Sequence, residues 1–243
     1  MAQKGRGSGR RGAPRRAAGG AKRAAPRAAT RPTPKATPAP PAPREEPRTF
    51  RLGAIPGATP GKWIDRWRER MPHVALELVP LEVATQREAI AAGEVDAAIV
   101  RLPIDTDELH VIRLYDEVAV VVVAADSALT TVEELTADDL AGEVVIVPRD
   151  DVLGPIALPG TEHPRFDPPE TTADAIATVA AGVGVVVVPM SLARLHHRRD
   201  AEYRPLRDAP TSTVALAWWA ERTTPDVESF VGIVRGRGAN SSR

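Results

Sequence analysis

Between Thr49 and Arg101 the apolar positions switch between a period of about two and a period of about 3.6, the rhythms of strand and helix. Phe50-Arg51-Leu52-Gly53-Ala54 is short and partly apolar and reads as a first strand. Ile55 to Gly61 breaks it with two prolines and two glycines, a turn signal. Lys62 to Met71 then places Trp63, Ile64, Trp67 and Met71 on one helical face, with Lys62, Asp65, Arg66, Arg68 and Arg70 mostly opposite. Pro72 stops that helix. Val74, Leu76 and Leu78 alternate up to Pro80 as a second strand. A helix over about Thr85–Ala92 ends at Gly93, a C-terminal capping glycine. Asp96 to Val100 is a buried strand. The order is βαβαβ, the unit of a parallel sheet with helices on both faces.

The same rhythms continue downstream. Leu109–Leu114 leads through Tyr115-Asp116-Glu117 into the apolar run Val118–Ala124, which predicts a central strand. Thr131–Leu140 predicts two short capped turns of helix, ended by Gly142. Glu143–Pro148 reads as a strand, and Arg149–Pro169, with five prolines and two glycines, as a long irregular loop. Thr171–Asp174 caps a helix running to Ala181, with Ala175, Ile176, Val179 and Ala180 inward. Val185–Pro189 is a buried strand, Met190–His197 a short helix, Tyr203–Leu206 a short strand and Val214–Trp219 a further apolar strand. Thr224-Pro225 opens a last helix whose face is Val227, Phe230, Val231 and Val234. Residues 236–243 are expected to fray.

Charge divides the 243-residue chain in a way its zero net charge conceals. Residues 1–48 carry 13 Lys/Arg against two Glu, and the remainder carries 19 Lys/Arg against 30 Asp/Glu. The first 48 residues are rich in Ala, Pro, Gly, Arg and Lys and almost devoid of large apolar side chains, so a disordered basic tail is expected. Arg6, Arg10, Arg11, Arg15, Arg16, Lys22 and Arg23 are its candidates for contact with DNA or RNA phosphates without sequence choice. A solubilising tail, or one that returns to its own acidic body, is the other reading. Cysteine is absent, which excludes disulfides and thiolate metal sites. No apolar run approaches the roughly 20 residues of a membrane span, and no secretory signal is visible, so no membrane partner and a cytoplasmic location are expected.

The order of these segments resembles the effector-binding (substrate-binding) domain of LysR-type transcriptional regulators. The resemblance rests on Phe50–Ala54 with its Pro/Gly turn, Arg66-Trp-Arg-Glu-Arg-Met-Pro-His-Val74, Leu76–Pro80 and Ala92–Arg101. Leu135–Leu140, Ala180–Pro189 and Val214–Trp219 extend it over nearly all of residues 49–234. It implies an α/β, two-lobed fold like that of type 2 periplasmic binding proteins, each lobe a mixed sheet flanked by helices. The chain would cross outward near Ala124–Asp126 and return near Pro210–Ser212. That gives lobe one as 49–124 plus 213–235 and lobe two as 125–212. The resemblance further implies a non-enzymatic sensor of a small molecule, and pairing as a homodimer. Two departures stand out: residues 1–48 offer no periodicity for the family's winged helix-turn-helix, and the first helix of lobe two is replaced by the loop Gly154–Pro169.

Ligands of open α/β sheets bind outside the carboxyl ends of the strands. That rule and the resemblance together select Gly57 and Thr59 after the first strand, Arg101 and Leu102 after the third, and Arg149, Thr172 and Pro189 in lobe two. Two helix N-termini and the arginines suit an anionic ligand, most simply a carboxylate. Thr59 and Thr172 also read as plain caps, and Arg101 and Arg149 as salt-bridge partners. No catalytic or metal site emerges and no cofactor is expected: His196-His197 cannot point together, Asp138-Asp139 and Asp150-Asp151 lack further ligands, and Ser127 and Ser191 have no His/Asp partners in sequence. Gly182-Val-Gly184 lacks the third glycine of a dinucleotide loop. A transport solute receptor and a dimerisation scaffold without ligand are the alternative functions.

Overall fold

A computed structural model describes residues 47–236. The tail residues singled out for nucleic-acid contact, Arg6 to Arg23, and the segment beyond Gly236 that was expected to fray lie outside the described residues.

The first sheet is built as the βαβαβ pattern requires. Strand β1 (Arg48–Ala54), helix α1 (Gly61–Arg70), β2 (Val74–Pro80), α2 (Gln86–Ala92) and β3 (Ala97–Arg101) follow in order. β1 pairs in parallel with β2 on one side and β3 on the other. β4 (Leu109–Glu117) and β9 (Ser212–Trp219) complete it in the order β2-β1-β3-β9-β4, with β9 antiparallel to both neighbours. The second sheet has the order β6-β7-β5-β8, from β5 (Ala119–Ala124), β6 (Val145–Ile146), β7 (Val185–Pro189) and β8 (Ala201–Pro205). Helices α3 (Thr172–Ala180), α4 (Met190–Leu195) and α5 (Pro225–Val234) cover the sheets. Both sheets are mixed, as expected.

The outward crossing differs from expectation. Residues 119–124, expected in the first lobe, belong to the second sheet, where β5 pairs with β7 and β8. The chain passes from Glu117 through Val118 straight into β5, leaving no turn to return it to the first sheet. The run Val120–Val123 is buried on both faces, and such a run fits the centre of either sheet. Other differences are smaller. The segment 143–148 pairs as a strand only over Val145–Ile146, and the turns of 131–140 are 3₁₀ turns at Ala128–Thr131 and Asp138–Leu140. On α5 the buried residues are Val227, Phe230 and Ile233, while Val231 and Val234 pack at the margin.

One face of the first sheet rests on a cluster of aromatic rings. Phe50 stacks on Trp67 at 4.7 Å between centroids, and Phe230 closes the group at 5.2 Å from Phe50. The Trp67 indole N–H donates to the Val74 carbonyl at 3.0 Å, so the one polar atom of that ring is satisfied inside the core. In the second sheet Val120, Val122, Val186 and Val188 face α3, while Val121, Val185 and Val187 face Leu135, Leu140 and the loop 149–169. That loop, irregular as its sequence predicts, contributes Leu153, Ile156 and Leu158 to this packing.

Phe230 joins β1, α1 and α5, so Phe230→Ala is expected to cost about 3–5 kcal/mol, whereas Arg66→Ala on the exposed face of α1 changes stability by less than about 0.5 kcal/mol. Urea melts of the two variants check the contrast.

Candidate functional site

The carboxyl ends of β1, β4 and β7 converge on a cleft of about 570 Å³ between the two sheets. One wall is the turn Gly57-Ala58-Thr59 after β1. The floor is Tyr115 to Val118, where the chain crosses from one sheet to the other. The opposite wall is one face of α4, formed by Met190, Ser191, Arg194 and Leu195. Their spacing is that of a single helical stripe, which is why one short helix can present all four.

The walls approach closely at one point. Gly57 has φ +82°, and a Cβ there would lie 2.5 Å from Ser191 Oγ. Glycine is therefore required twice over, for its left-handed backbone and for its missing side chain. Val118 O accepts from Met190 N–H at 3.0 Å, which sets the start of α4 beside the crossing strand.

Beneath the floor lies a buried ion pair. Arg101, at the end of β3, has 2% of its side chain exposed and donates through Nη1 to Glu117 Oε2 at 2.9 Å. The same Nη1 donates to Ser212 Oγ, at the first residue of β9. Glu117 Oε2 also accepts from Ser191 Oγ at 2.8 Å. One carboxylate thus links the first sheet to α4, and one guanidinium links the strand that leaves the first sheet to the strand that returns. Gln86 fixes the Arg101 backbone from both sides: its Nε2 donates to Arg101 O at 2.8 Å and its Oε1 accepts from Arg101 N–H at 2.9 Å. Arg101 Nε and Nη2 are buried without a hydrogen-bond partner among the described residues.

The neighbouring groups have defined protonation. A hydrogen bond from Thr213 holds the Asp116 carboxyl below the usual carboxylate range, and Arg113 adds to this. Burial raises the Tyr115 hydroxyl above its ordinary value; Glu117 adds to the rise and Arg101 opposes it. Tyr115 is therefore a neutral hydroxyl at physiological pH, able to donate.

The residues selected from sequence separate into groups. Gly57 and Thr59 line the cleft. Thr59 is no cap: α1 begins after Pro60, and no side-chain hydrogen bond caps it. Arg101 lies directly behind Glu117, Leu102 packs against the core of the first sheet, and Pro189 ends β7 and leads into α4. Arg149 and Thr172 do not line this cleft. Arg149 pairs with Glu170 at 2.9 Å, and the Thr172 hydroxyl donates to Asp150 Oδ1 at 2.9 Å, while Thr171 caps α3. A second, mostly apolar cavity of about 310 Å³ lies in the second sheet beside Pro148 and beneath Pro155 and Ile156.

Sequence reasoning missed Tyr115, Glu117, Ser191, Arg194 and Leu195 as cleft residues. Ser191 was weighed only as a nucleophile. Its position after a strand-ending proline, with Arg194 and Leu195 one turn on, was the available signal. Among the described residues no group of three or more His, Asp or Glu is placed to hold a metal ion. No helix there is long and apolar enough to cross a membrane.

Removing one partner of the buried pair strands the other, so Glu117→Ala is expected to lower the unfolding free energy by about 3–5 kcal/mol. Replacing both, with Arg101→Met and Glu117→Leu together, recovers most of that loss. Denaturant titration of the two proteins beside the parent is the check; a single variant as stable as the parent would show that the pair carries no weight.

Comparison with known proteins agrees with this architecture. The LysR substrate binding domain matches residues 43–239. The Hca operon transcriptional activator HcaR of Escherichia coli is 30% identical over 184 residues, covering 72% of this chain and 62% of that protein. The HTH-type transcriptional regulator CatR of Pseudomonas putida is 36% identical over 168 residues, covering 65% of this chain and 57% of that protein. The match therefore spans about three fifths of the length of these relatives. Among solved structures, the reduced OxyR regulatory domain of Pseudomonas aeruginosa superposes with a TM-score of 0.59 at 25% identity, covering 78% of this chain and 98% of that one. The BenM effector binding domain with its effector benzoate gives 0.63 at 22% identity, covering 78% and 91%; that likeness concerns the fold. With four fifths of its length matched and a two-sheet fold shared with these regulators, the chain belongs to the LysR substrate-binding domain family.

Proposed function

We propose that the protein is a non-enzymatic effector-sensing module that takes a small carboxylate into the cleft between its two sheets. The observation that carries this reading is the 570 Å³ cleft itself, bounded by the β1 turn and by α4. Its volume falls within the roughly 300–1,000 Å³ usual for small-molecule sites. It opens at the carboxyl ends of strands, where β2-β1-β3 topology leaves a crevice. Gly57 and Thr59 form one side of the site, Pro189 aims the other, and Arg101 sets the charge beneath it. Because Glu117 and Ser191 join the two halves across the floor, a ligand there is placed to alter how they pack, and a change in the homodimer is the proposed output. Benzoate, the effector named with BenM, sets the chemical class of the first probes.

The basic tail is proposed to hold this module near nucleic acid by phosphate contact, in a cytoplasmic setting. Its support is the segregation of charge, 13 Lys/Arg against two Glu in residues 1–48.

Thermal unfolding in the presence of benzoate, phenylacetate, succinate and acetate, each beside its neutral amide, tests the sensor. At least one acid is expected to raise the midpoint by several degrees while its amide does not; no shift with any acid ends the reading. For the tail, duplex DNA is expected to bind the full chain with an affinity that falls steeply with salt and to bind a chain beginning at residue 49 far more weakly. Equal affinities would remove the tail from the function.

A further inference from the structure

We infer that Arg194 is the residue that holds the ligand's negative group, and that the cleft is selective for small organic monoanions with an apolar body. This rests on the cleft being the effector site, and it assigns the binding charge to a residue that neither the sequence pattern nor the strand-end rule selected.

Three charged side chains line the cleft: Asp116, Glu117 and Arg194. Two acids against one base would suggest a site for cations. The hydrogen bonds reverse that conclusion. Glu117 is held by Arg101 and Ser191. Asp116 accepts from Thr213 and from Arg113 at 3.3 Å. Each carboxylate thus has one oxygen, Glu117 Oε2 and Asp116 Oδ1, held by donors of the protein. Arg194 is engaged only through Nε, which donates to Tyr203 Oη at 3.3 Å. Among the described residues its two terminal nitrogens have neither a hydrogen-bond nor an ion-pair partner. That contact, made at one edge, leaves the end-on pair of N–H groups to meet both oxygens of a carboxylate.

Beside the second oxygens of these two carboxylates, the cleft presents further donors. The Tyr115 hydroxyl and the Thr59 hydroxyl on the facing wall both line the cleft without a hydrogen bond among the described residues. A guanidinium and two hydroxyls ask for acceptors, and a carboxylate supplies the most per atom. Met190 and Leu195 flank Arg194 on the α4 face, and Leu195 is 54% exposed, so the same wall offers apolar surface to the body of the ligand. A dianion would bring a second negative charge toward Asp116 and Glu117, which selects a single acidic group.

The test uses the full chain and the four acids and amides above, with Arg194→Gln, Arg194→Lys and, as a control on the exposed basic segment after α4, Arg199→Gln. Arg194→Gln is expected to weaken binding of the best acid by about 10- to 100-fold, the loss of a charge-assisted hydrogen-bonded pair. Its own melting temperature and its affinity for the matching amide stay unchanged, so the acid-to-amide preference collapses. Arg194→Lys keeps part of the preference, Arg199→Gln keeps all of it, and benzoate or acetate binds better than succinate. An Arg194→Gln protein that binds the acid as the parent does overturns this inference and leaves the sensor reading intact. A parent protein that binds none of the acids overturns both.

Discussion

The fold turns on one buried guanidinium. Arg101 sits at the end of β3 with its charge almost fully withdrawn from water, and it bonds Glu117 on the strand leaving the first sheet and Ser212 on the strand returning to it. A buried charge is costly unless paired in good geometry, so this pair constrains the backbone around it. Both crossings between the sheets are thereby drawn to one point. Glu117 carries the constraint onward to Ser191 and α4, so a hydrogen bond helps to position the second half of the molecule against the first.

That arrangement explains the character of the cleft. Its floor is the crossing strand, where one oxygen of each carboxylate is held by protein donors. Its walls are a glycine turn and a short helix that touch at Gly57 and Ser191. Apolar cores lie on the faces of both sheets, and the cleft between the sheets is lined by polar groups together with Ala58, Val118, Met190 and Leu195. A cleft of this kind keeps its shape through a few directed bonds.

The loop 149–169 shows how far the family's plan can be altered without loss of the core. Leu153, Ile156 and Leu158 of this loop, expected as a departure from the family, cover the valines of the second sheet. Arg149 and Thr172 follow that loop's local chemistry, pairing with Glu170 and Asp150, and so lie off the cleft that strand order alone would have given them. The strand-end rule locates a crevice; which side chains enter it is decided by the bonds each makes nearby.

The periodic segments made the helices, the parallel β2-β1-β3 unit, the buried valine strands and the capping residues Gly93, Thr171 and Thr224 readable, because each depends on spacing within a few residues. Gly57 and Thr59 were legible for the same reason. The sheet that receives residues 119–124 was not, since a strand buried on both faces carries no mark of its neighbours. Nor was the assignment of charge in the cleft. Arg101 meets Glu117 across 16 positions and Ser212 across 111, and Ser191 meets Glu117 across 74. Those bonds exist only once the chain has left the first sheet and come back to it, so local pattern fixed the elements, and long-range pairing of buried polar groups decided which of them face the cleft.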